Sequence, residues 1–319
     1  FEVSNKYMLV IDSILIAIVA VYGLNLLTGF AGLISIGHAA FVGVGAYTLA
    51  TFARVLGGDH VLLTHFWPLM IILAGGVGAV IGAIVGLPSL RLKHLYLVIA
   101  TLSFQMIFQW IINFSKFFNQ GQTIAIGRVF WFTGKVVRKQ HYFFWYYVIL
   151  VFVVVLGFTV RNLLRSKYGR SLVAVRDNDR AADAMGMHPG FTKVYAFALA
   201  GFFAGVAGAL HAYLWRGVGF ESFTLHHSIS YLAMAIVGGL GTLVGSFVGP
   251  AAILMLELQV ENLAEFVGHY FTALGDVATA FRPLSFGLVI VLFLMFEPRG
   301  IANWWRIVRS YFKLWPFRY

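Results

Sequence analysis

The sequence predicts an all-α, polytopic integral membrane protein with about eight transmembrane segments, two of them broken or re-entrant and rich in glycine. Of its 319 residues, 60% are hydrophobic and 11% are charged, against about 25% charged in a typical soluble domain. Apolar runs of about 20 residues, each able to cross a hydrocarbon core of roughly 30 Å, recur along the whole length. Because these runs lack the alternation of a membrane β-barrel, we expect helices and no large soluble domain.

The apolar runs place the predicted spans in order along the chain. The first run is too long for the core of a signal peptide and lacks a small-x-small cleavage site, so we expect a retained span. The predicted spans cover residues 8–27, 28–53, 68–88, 94–114, 142–161, 193–213, 228–258 and 284–297.

Lysine and arginine predict the two sides of the membrane. The net charge of +11 lies in short segments between apolar runs, which indicates membrane orientation rather than nucleic-acid binding. Residues 89–94, 161–193 and the tail after Arg299 are all predicted to be cytoplasmic, in agreement with one alternation of spans. The loop 115–141 then falls outside despite its five basic residues, which is acceptable because long loops bias topology less.

Two glycine-rich stretches are predicted to be broken. The first, GFAGLISIGHAAFVGVGAYTLA at 29–50, contains a serine and a histidine where a stable span would have leucine. The second, 228–258, is longer than one span and is interrupted by GGLGTLVG at 238–245 and by GP at 249–250. If residue 213 lies outside and the tail after residue 297 lies inside, the chain crosses the membrane once between them, although it has two apolar segments there. One of these two segments must therefore return to the side from which it enters. Unwound backbone in a membrane is tolerated beside a cavity, so both stretches predict a substrate path near the midplane.

Close helix packing is the alternative explanation for these glycines. In the third and sixth spans glycines recur at four-residue spacing, at 78, 82 and 86 and again at 201 and 205, which predicts faces where helices approach closely. In the broken stretches, Gly29, Gly32 and Gly37 match the spacing of Gly238, Gly241 and Gly245 to within one residue. This match suggests a repeat, and the path and packing explanations both remain open there.

Uncharged polar residues within the spans are the candidates for lining a path. His38 must find a partner in an apolar setting, either by a structural bond to a neighbouring helix or by contact with substrate. Ser35, three residues away, is expected to share its helical face, and Thr101, Gln105 and Gln109 are expected to form one face of another helix. The candidate path residues are Asn25, Ser35, His38, Thr101, Gln105, Gly238, Gly239 and Gly241.

Several kinds of chemistry find no support in the sequence. No HExxH motif occurs and the histidines are scattered, so we predict no metal site and no catalytic residue. The segment FTGKVV lacks the upstream glycine and the following Ser or Thr of a P-loop, so we expect this chain to bind no ATP by that motif. Asp12 lies near a span end and is expected to reach the interface. The chain contains no cysteine, which excludes disulfides and thiolate chemistry.

Three further segments predict contacts outside the membrane core. Residues 165–192 contain a short helix that Asp177, Asn178 or Asp179 can cap and that Gly186 can end, which predicts docking of a cytoplasmic partner. Glu257, Glu261 and Glu265 form an acidic stripe that is either a solvated face or a docking site for an external protein. Residues 303–319 mix aromatic and basic side chains, which is typical of an interfacial anchor.

Four blocks in order together resemble the membrane subunit of the branched-chain amino acid ABC importers of the LivM type. They are YGLNLLTGFAGLISIGHAAFVGVGAYTLA (22–50), VRDNDRAADAMGM (175–187), AFALAGFFAGVAGAL (196–210) and MAIVGGLGTLVGSFVGPA (234–251). The resemblance implies one permease domain over 1–319 in a bacterial or archaeal cytoplasmic membrane. It also implies uptake of leucine, isoleucine and valine by alternating access. Importers of urea, amides or aromatic acids, and an ATP-independent channel or carrier, remain alternatives.

The resemblance also implies a set of partners. These are a second homologous permease, two cytoplasmic subunits that use ATP and magnesium, and an extracytoplasmic binding protein, so the chain itself is a transport subunit and not an enzyme. A cytoplasmic coupling helix that contacts the ATPases maps onto Asp177, Asp179, Arg180, Ala181, Ala182, Met185 and Gly186. Ala181, Ala182 and Gly186 loosely resemble the family's coupling signature, although its leading glutamate is missing here.

Overall fold

The chain is predominantly helical and divides into two compact units, residues 1–232 and 233–319. The computed structural model describes residues 5–57, 61–91, 95–127, 130–131, 134–135, 141–270, 287–288, 291, 295, 300–303, 307 and 310–311. Most of the predicted last span, 284–297, and most of the predicted tail, 303–319, lie outside these residues.

The first unit contains most of the helices. They are α1 (Asn5–Leu24), α2 (His38–Leu56), α3 (Val61–Thr64), α4 (Trp67–Gly86), α5 (Leu95–Phe114), α6 (His141–Arg165), α7 (Lys167–Asp177), α8 (Asp179–Ala184), α9 (Pro189–Trp215) and the start of α10 (Leu225–Gly238). α1 continues into a π-helical turn, Asn25–Phe30, and 3₁₀ turns cover Leu87–Leu90, Lys116–Gly121 and Phe220–Phe223.

Among the described residues, short strands form two pairs. β1 (Ile124–Ala125) pairs antiparallel with β4 (Gly217–Val218), and β2 (Phe130–Trp131) pairs with β3 (Gly134–Lys135). The first pair joins the loop after α5 to the chain that leaves α9. This pairing agrees with the predicted topology, in which both segments lie on the side opposite residues 161–193.

Helices long and apolar enough to cross a membrane confirm the predicted class. Six occur among the described residues: Lys6–Phe30, His38–Leu56, Trp67–Leu90, Leu95–Phe114, Tyr142–Arg165 and Pro189–Trp215. The protein is therefore an all-α, multi-pass membrane protein, and the total of about eight segments stays a prediction.

The glycine faces pack as the sequence predicts. A Cβ on Gly78 would lie 2.3 Å from the carbonyl oxygen of Gly201, and one on Gly201 would lie 2.2 Å from that of Gly78. One turn along, a Cβ on Gly82 would lie 2.3 Å from the Phe197 oxygen. Only hydrogen fits at these positions, so α4 and α9 are in backbone contact over several turns.

The second unit contains the end of α10 and the helix α11 (Gly245–Tyr270). Residues 239–244 between them are not helical, and Gly239 and Gly241 have φ of +114° and +73°. The predicted break in 228–258 is therefore confirmed. α11 continues well past residue 258, where the predicted span ends.

Two expectations about the first unit are wrong. Ser35 does not share a helical face with His38, because residues 31–37 are non-helical and His38 is the first residue of α2. Asp12 does not reach the interface: it is fully buried in α1, and neither of its carboxyl oxygens has a hydrogen-bond partner among the described residues. Sequence position along the span indicated depth but could not show which side of α1 the other helices cover.

Candidate functional site

The first helix break, residues 31–37, separates two candidate spans. The chain leaves α1 through the π-helical turn, where Ala31 N–H donates to Leu26 O at 3.1 Å and Leu33 N–H donates to Leu27 O at 3.0 Å. Gly32 then takes a φ of +70°, a conformation that other residues adopt only with strain. Most of this segment is buried, so its backbone groups need partners from protein.

Side chains from two other helices supply partners for the start of α2. Its N-cap residue, Gly37, has no side chain to bond the exposed N–H groups of the first turn. Ser228 Oγ of α10 instead accepts from Ala39 N–H at 2.8 Å, and Gln105 Oε1 of α5 accepts from Ala40 N–H at 2.8 Å. The first turn of α2 is thus capped by side chains of two other helices of the same chain.

Gln105 holds this arrangement together from the middle of α5. Its Oε1 also accepts from Ser228 Oγ at 2.9 Å, and its Nε2 donates to Phe223 O at 2.7 Å. Gln105 and Ser228 are both fully buried. We call Gln105, Ser228, Ala39 and Ala40 the Gln105 cluster. The cluster joins α2, α5 and α10. Sequence patterns did not single out Ser228, because its partners lie far away in the sequence.

Thr101 lies one turn below Gln105 and bonds the break itself. Its Oγ1 accepts from Ile36 N–H at 3.2 Å and donates to Val98 O at 3.0 Å. A Cβ on Gly37 would lie 2.2 Å from Thr101 O, so glycine is required for this close approach. The predicted polar face of α5 is therefore a helix contact at Thr101 and Gln105.

The remaining path candidates in this unit are enclosed. His38 Nε2 donates to the Ala20 carbonyl of α1 at 2.9 Å, which is the first of the two alternatives, a structural bond to a neighbouring helix. His38 Nδ1 and Ser35 Oγ are buried and have no hydrogen-bond partner among the described residues. Asn25 is also buried and lies in the π-helical turn. The structure thus gathers Ser35, His38, Thr101 and Gln105 around one break, and all four are fully buried.

The first unit also contains cavities. One of about 550 Å³ lies near the end of α9, at the predicted extracytoplasmic side, and its walls include His211, Trp215 and Glu221. Another, of about 450 Å³, is lined by residues 31–34, 95, 97–98, 175–180 and 193. We call the second one the inner cavity. It lies between the break and the predicted coupling segment.

The predicted coupling segment folds as two short helices. Of the three candidate caps, Asn178 is the cap of α8: its Oδ1 accepts from Arg180 N–H at 3.0 Å and from Ala181 N–H at 3.2 Å. α8 ends in a Schellman motif, in which Met187 N–H donates to Ala182 O and Gly186, with φ +81°, donates to Asp183 O. Both ends of this six-residue helix are therefore fixed by specific bonds.

α8 presents most of its surface to its surroundings. Ala182 is buried, whereas Arg180, Ala181 and Gly186 are exposed and Met185 is 78% exposed. Asp179 forms an ion pair with Lys193 at the start of α9, which fixes α8 to that span. Asp177 is exposed and bonds the side chain of Arg176.

Arg176 connects the coupling segment to the break and was not predicted. Its Nη1 donates to Gly29 O at 3.0 Å, across 147 residues of sequence. A Cβ on Gly32 would lie 2.6 Å from Arg176 Cγ, so the aliphatic stem packs directly on the left-handed glycine. An arginine in a basic segment is common, and only the fold shows which carbonyl it reaches.

The second break differs from the first in its contacts. A Cβ on Gly238 would lie 2.0 Å from Gly245 O, so α10 and α11 pack at backbone distance there. Gly239 and Gly241 provide the left-handed turn between them. Close packing accounts for Gly238, and a role for these three glycines in a substrate path stays a prediction.

The acidic stripe lies on α11, as its spacing predicts. Glu257 and Glu261 are half-buried and each takes part in a polar interaction, while the side chain of Glu265 lies outside the described residues. Docking of a binding protein at this stripe stays a prediction.

Comparison with known proteins gives a consistent result. The profile of the family described as "Branched-chain amino acid transport system / permease component" matches residues 7–296. The high-affinity branched-chain amino acid transport system permease protein LivM of Salmonella typhimurium is 29% identical over 325 aligned residues, covering 94% of this chain and 71% of that protein. LivM of Escherichia coli is 28% identical with the same coverage, and the probable permease LivH of Methanocaldococcus jannaschii is 29% identical over 246 residues, covering 72% and 74%. No solved structure matches the chain.

Proposed function

The chain belongs to the family of branched-chain amino acid transport system permease components, and we propose that it is one permease subunit of an ATP-driven importer of leucine, isoleucine and valine. Its partners in this proposal are a second homologous permease, two cytoplasmic ATP-binding subunits that use ATP and magnesium, and an extracytoplasmic binding protein. The assembly lies in a bacterial or archaeal cytoplasmic membrane. The proposal rests on the family and on LivM relatives that align with nearly the whole chain.

The form of α8 is the structural observation that carries the proposal. A helix capped at both ends, held to α9 by the Asp179–Lys193 pair and exposing Met185, is a rigid projection with an apolar tip. Exposed methionine suits an adaptable protein contact. In this proposal α8 lies in a cleft of an ATPase subunit, with Arg180, Ala181, Met185 and Gly186 toward that partner and Asp177, Asp179 and Ala182 supporting it from within the permease.

Transport then follows from alternating access. Closure of the ATPases on ATP draws the coupling helices together and opens the permease toward the loaded binding protein. The Gln105 cluster supports a closed midplane in this conformation, because the side chains of Gln105 and Ser228 are fully buried and bond each other and the backbone around them. Opening requires these groups to separate and exchange partners.

Uptake in proteoliposomes tests the transport function. The chain, its partner permease and the two ATPases are reconstituted with the binding protein outside, and radiolabelled leucine is followed with and without enclosed ATP. ATP-dependent accumulation is the expected result. Equilibration of leucine that does not depend on ATP would contradict the importer function and favour a channel or carrier. ATP-dependent uptake of urea, an amide or an aromatic acid in place of leucine would contradict only the proposed substrate.

Association with the ATPases tests the role of α8. Met185 is the C-cap residue of α8, but its capping bonds are made by its backbone N–H, so Met185→Lys places a charge at the exposed tip and leaves those bonds in place. We expect it to abolish co-purification of the ATPase subunits while membrane insertion is unchanged. Gln122→Lys, at an exposed residue on the predicted extracytoplasmic side, is the matched control and should leave co-purification intact. Retained association in Met185→Lys would contradict docking through α8. This variant is preferable to charge reversal at Asp179, which would also break the pair with Lys193.

A further inference from the structure

We propose that Arg176 is the positioning residue through which movement of the coupling segment reaches the first helix break. This inference rests on the proposed importer function and assigns a role to a side chain that the coupling motif alone does not single out.

Arg176 contacts the break at its two most sensitive points. The guanidinium Nη1 donates to the carbonyl of Gly29, in the π-helical turn where α1 ends. The stem of the side chain packs on Gly32, whose left-handed φ sets the direction of residues 31–37. Any displacement of Arg176 along its own axis therefore pushes or pulls on the hinge of the break rather than on the rigid part of α1.

Asp177 orients the guanidinium. Arg176 Nε and Nη2 each lie 3.0 Å from Asp177 Oδ1, so the fork is held on one edge while Nη1 is directed to Gly29 O. Lysine has a single ammonium group and cannot reproduce this two-sided arrangement. Asp177 precedes the cap of α8, so the orientation of Arg176 is linked directly to the position of that helix.

The inner cavity leaves open space beside the Arg176 side chain. About 450 Å³ of open volume lies among residues 31–34, the start of α5 and residues 175–180. Arg176 is one of the residues that line this space, and its side chain is 39% exposed. Open volume lets the segments on its two sides move relative to each other, and the contacts of Arg176 with Gly29 and Gly32 connect them.

The break in turn controls the Gln105 cluster. Residues 31–37 lead directly to the first turn of α2, whose N–H groups at Ala39 and Ala40 bond Ser228 and Gln105. A rotation at Gly32 is carried by Thr101 and Ile36 to these bonds. The sequence of contacts from α8 to the midplane is thus Asp177, Arg176, the break and the cluster.

A single reporter cysteine measures whether Arg176 transmits this movement. The chain has no native cysteine, so Ile34→Cys, at a residue that lines the inner cavity and is 48% exposed, gives one labelling site in the break. In the assembled transporter with native Arg176, we expect the rate of maleimide labelling to change at least about fivefold between the nucleotide-free state and the state with ATP and loaded binding protein, the lower range of site-to-site coupling.

Arg176→Met removes the bond and the charge but keeps an unbranched stem over Gly32. In this background we expect the ATPases still to assemble and hydrolyse ATP, the nucleotide-dependent change at Ile34→Cys to disappear, and uptake to fall at least about fivefold. Arg170→Met on α7 is the matched control and should preserve both readouts, because among the described residues the Arg170 side chain bonds Arg165 O of its own segment and not the first break. Arg176→Lys keeps the charge but not the two-sided contact of the guanidinium, so it should fully restore neither the labelling change nor uptake.

The outcomes separate this proposal from the proposed function. A labelling change that persists in Arg176→Met, or that is absent with native Arg176 while uptake is ATP-dependent, would overturn the role of Arg176. Loss of ATPase assembly in Arg176→Met would also overturn it, since the residue would then act in docking. Absence of ATP-dependent uptake with native Arg176 would instead contradict the importer itself.

Discussion

The two glycine-rich breaks have the same backbone plan but are stabilised in different ways. In each, a helix ends, a glycine adopts a φ near +70°, and a second helix begins: Gly32 has +70° and Gly241 has +73°. The corresponding glycines match in spacing to within one residue. Yet the first break is bonded by side chains of distant helices, whereas in the second break the hydroxyl of Thr242 bonds other residues of the break itself.

The second break contains hydrogen bonds between its own residues. Thr242 Oγ1 donates to Gly239 O at 2.8 Å and accepts from Gly245 N–H at 3.1 Å, and Gly238 and Gly245 bring the two helices into backbone contact. The first break depends on Thr101, Gln105 and Ser228 from elsewhere in the chain and on Arg176 from the coupling segment. A segment whose bonds come from other helices changes when those helices move. We therefore expect the first break to move during transport and the second to act as a fixed hairpin.

Removing Gln105 should have the largest effect on stability. Gln105→Leu leaves the buried Ala40 N–H and Phe223 carbonyl without partners, and we expect the free energy of unfolding in detergent to fall by about 3 kcal/mol. Gln109→Leu, one turn along the same face of α5, is the matched control, because the Gln109 side chain makes no hydrogen bond within the described residues. Equal losses in the two variants would show that the first break does not depend on this remote bond.

Filling the contact between α10 and α11 should have the next largest effect. Gly238→Ala places a methyl group 2.0 Å from Gly245 O, and the backbone there cannot yield as a side chain would. We expect the free energy of unfolding to fall by about 2 kcal/mol. Gly76→Ala in α4 meets nothing within 4 Å and should be neutral or slightly stabilising. Tolerance of alanine at Gly238 would mean that the second break is open rather than tightly packed.

The local bond of the second break should give the smallest effect on stability. Thr242→Val keeps the shape of the side chain but removes the hydrogen bonds of its hydroxyl to Gly239 O and Gly245 N–H, with an expected loss of about 1 kcal/mol. Thr242→Ser retains the hydroxyl and should lose less. Because the second break is not expected to move, ATP-dependent uptake per folded transporter should be unchanged in Thr242→Val, and strongly reduced uptake would contradict the assignment of a fixed role.

Sequence patterns predicted the features that depend on local chemistry. The glycine faces of α4 and α9, the ends of α8 at Asn178 and Gly186, and the break at 239–244 all follow from residue type and spacing. The partners of the first break could not be predicted in this way. Ser228 bonds Ala39 across 189 residues and Arg176 bonds Gly29 across 147, and only the packing of the helices decides such pairs.

Burial was the other feature that sequence alone could not predict. Asp12 lies close to the start of its helix, and a position near the end of a span favours the interface. Its complete enclosure depends on which helices cover that face of α1. Ser35 was misplaced for a related reason, because a continuous helix through Gly32 would have put it above His38.

The most direct test of this account compares the mobility of the two breaks in one transporter. Ile34→Cys and Leu240→Cys place single cysteines at residues that are 48% and 42% exposed, one in each break. Maleimide labelling of each is measured in the assembled transporter, without nucleotide and with ATP plus loaded binding protein. The account predicts a rate change of at least about fivefold at residue 34 and less than about twofold at residue 240. Equal changes at both positions, or a change at residue 240 alone, would contradict it.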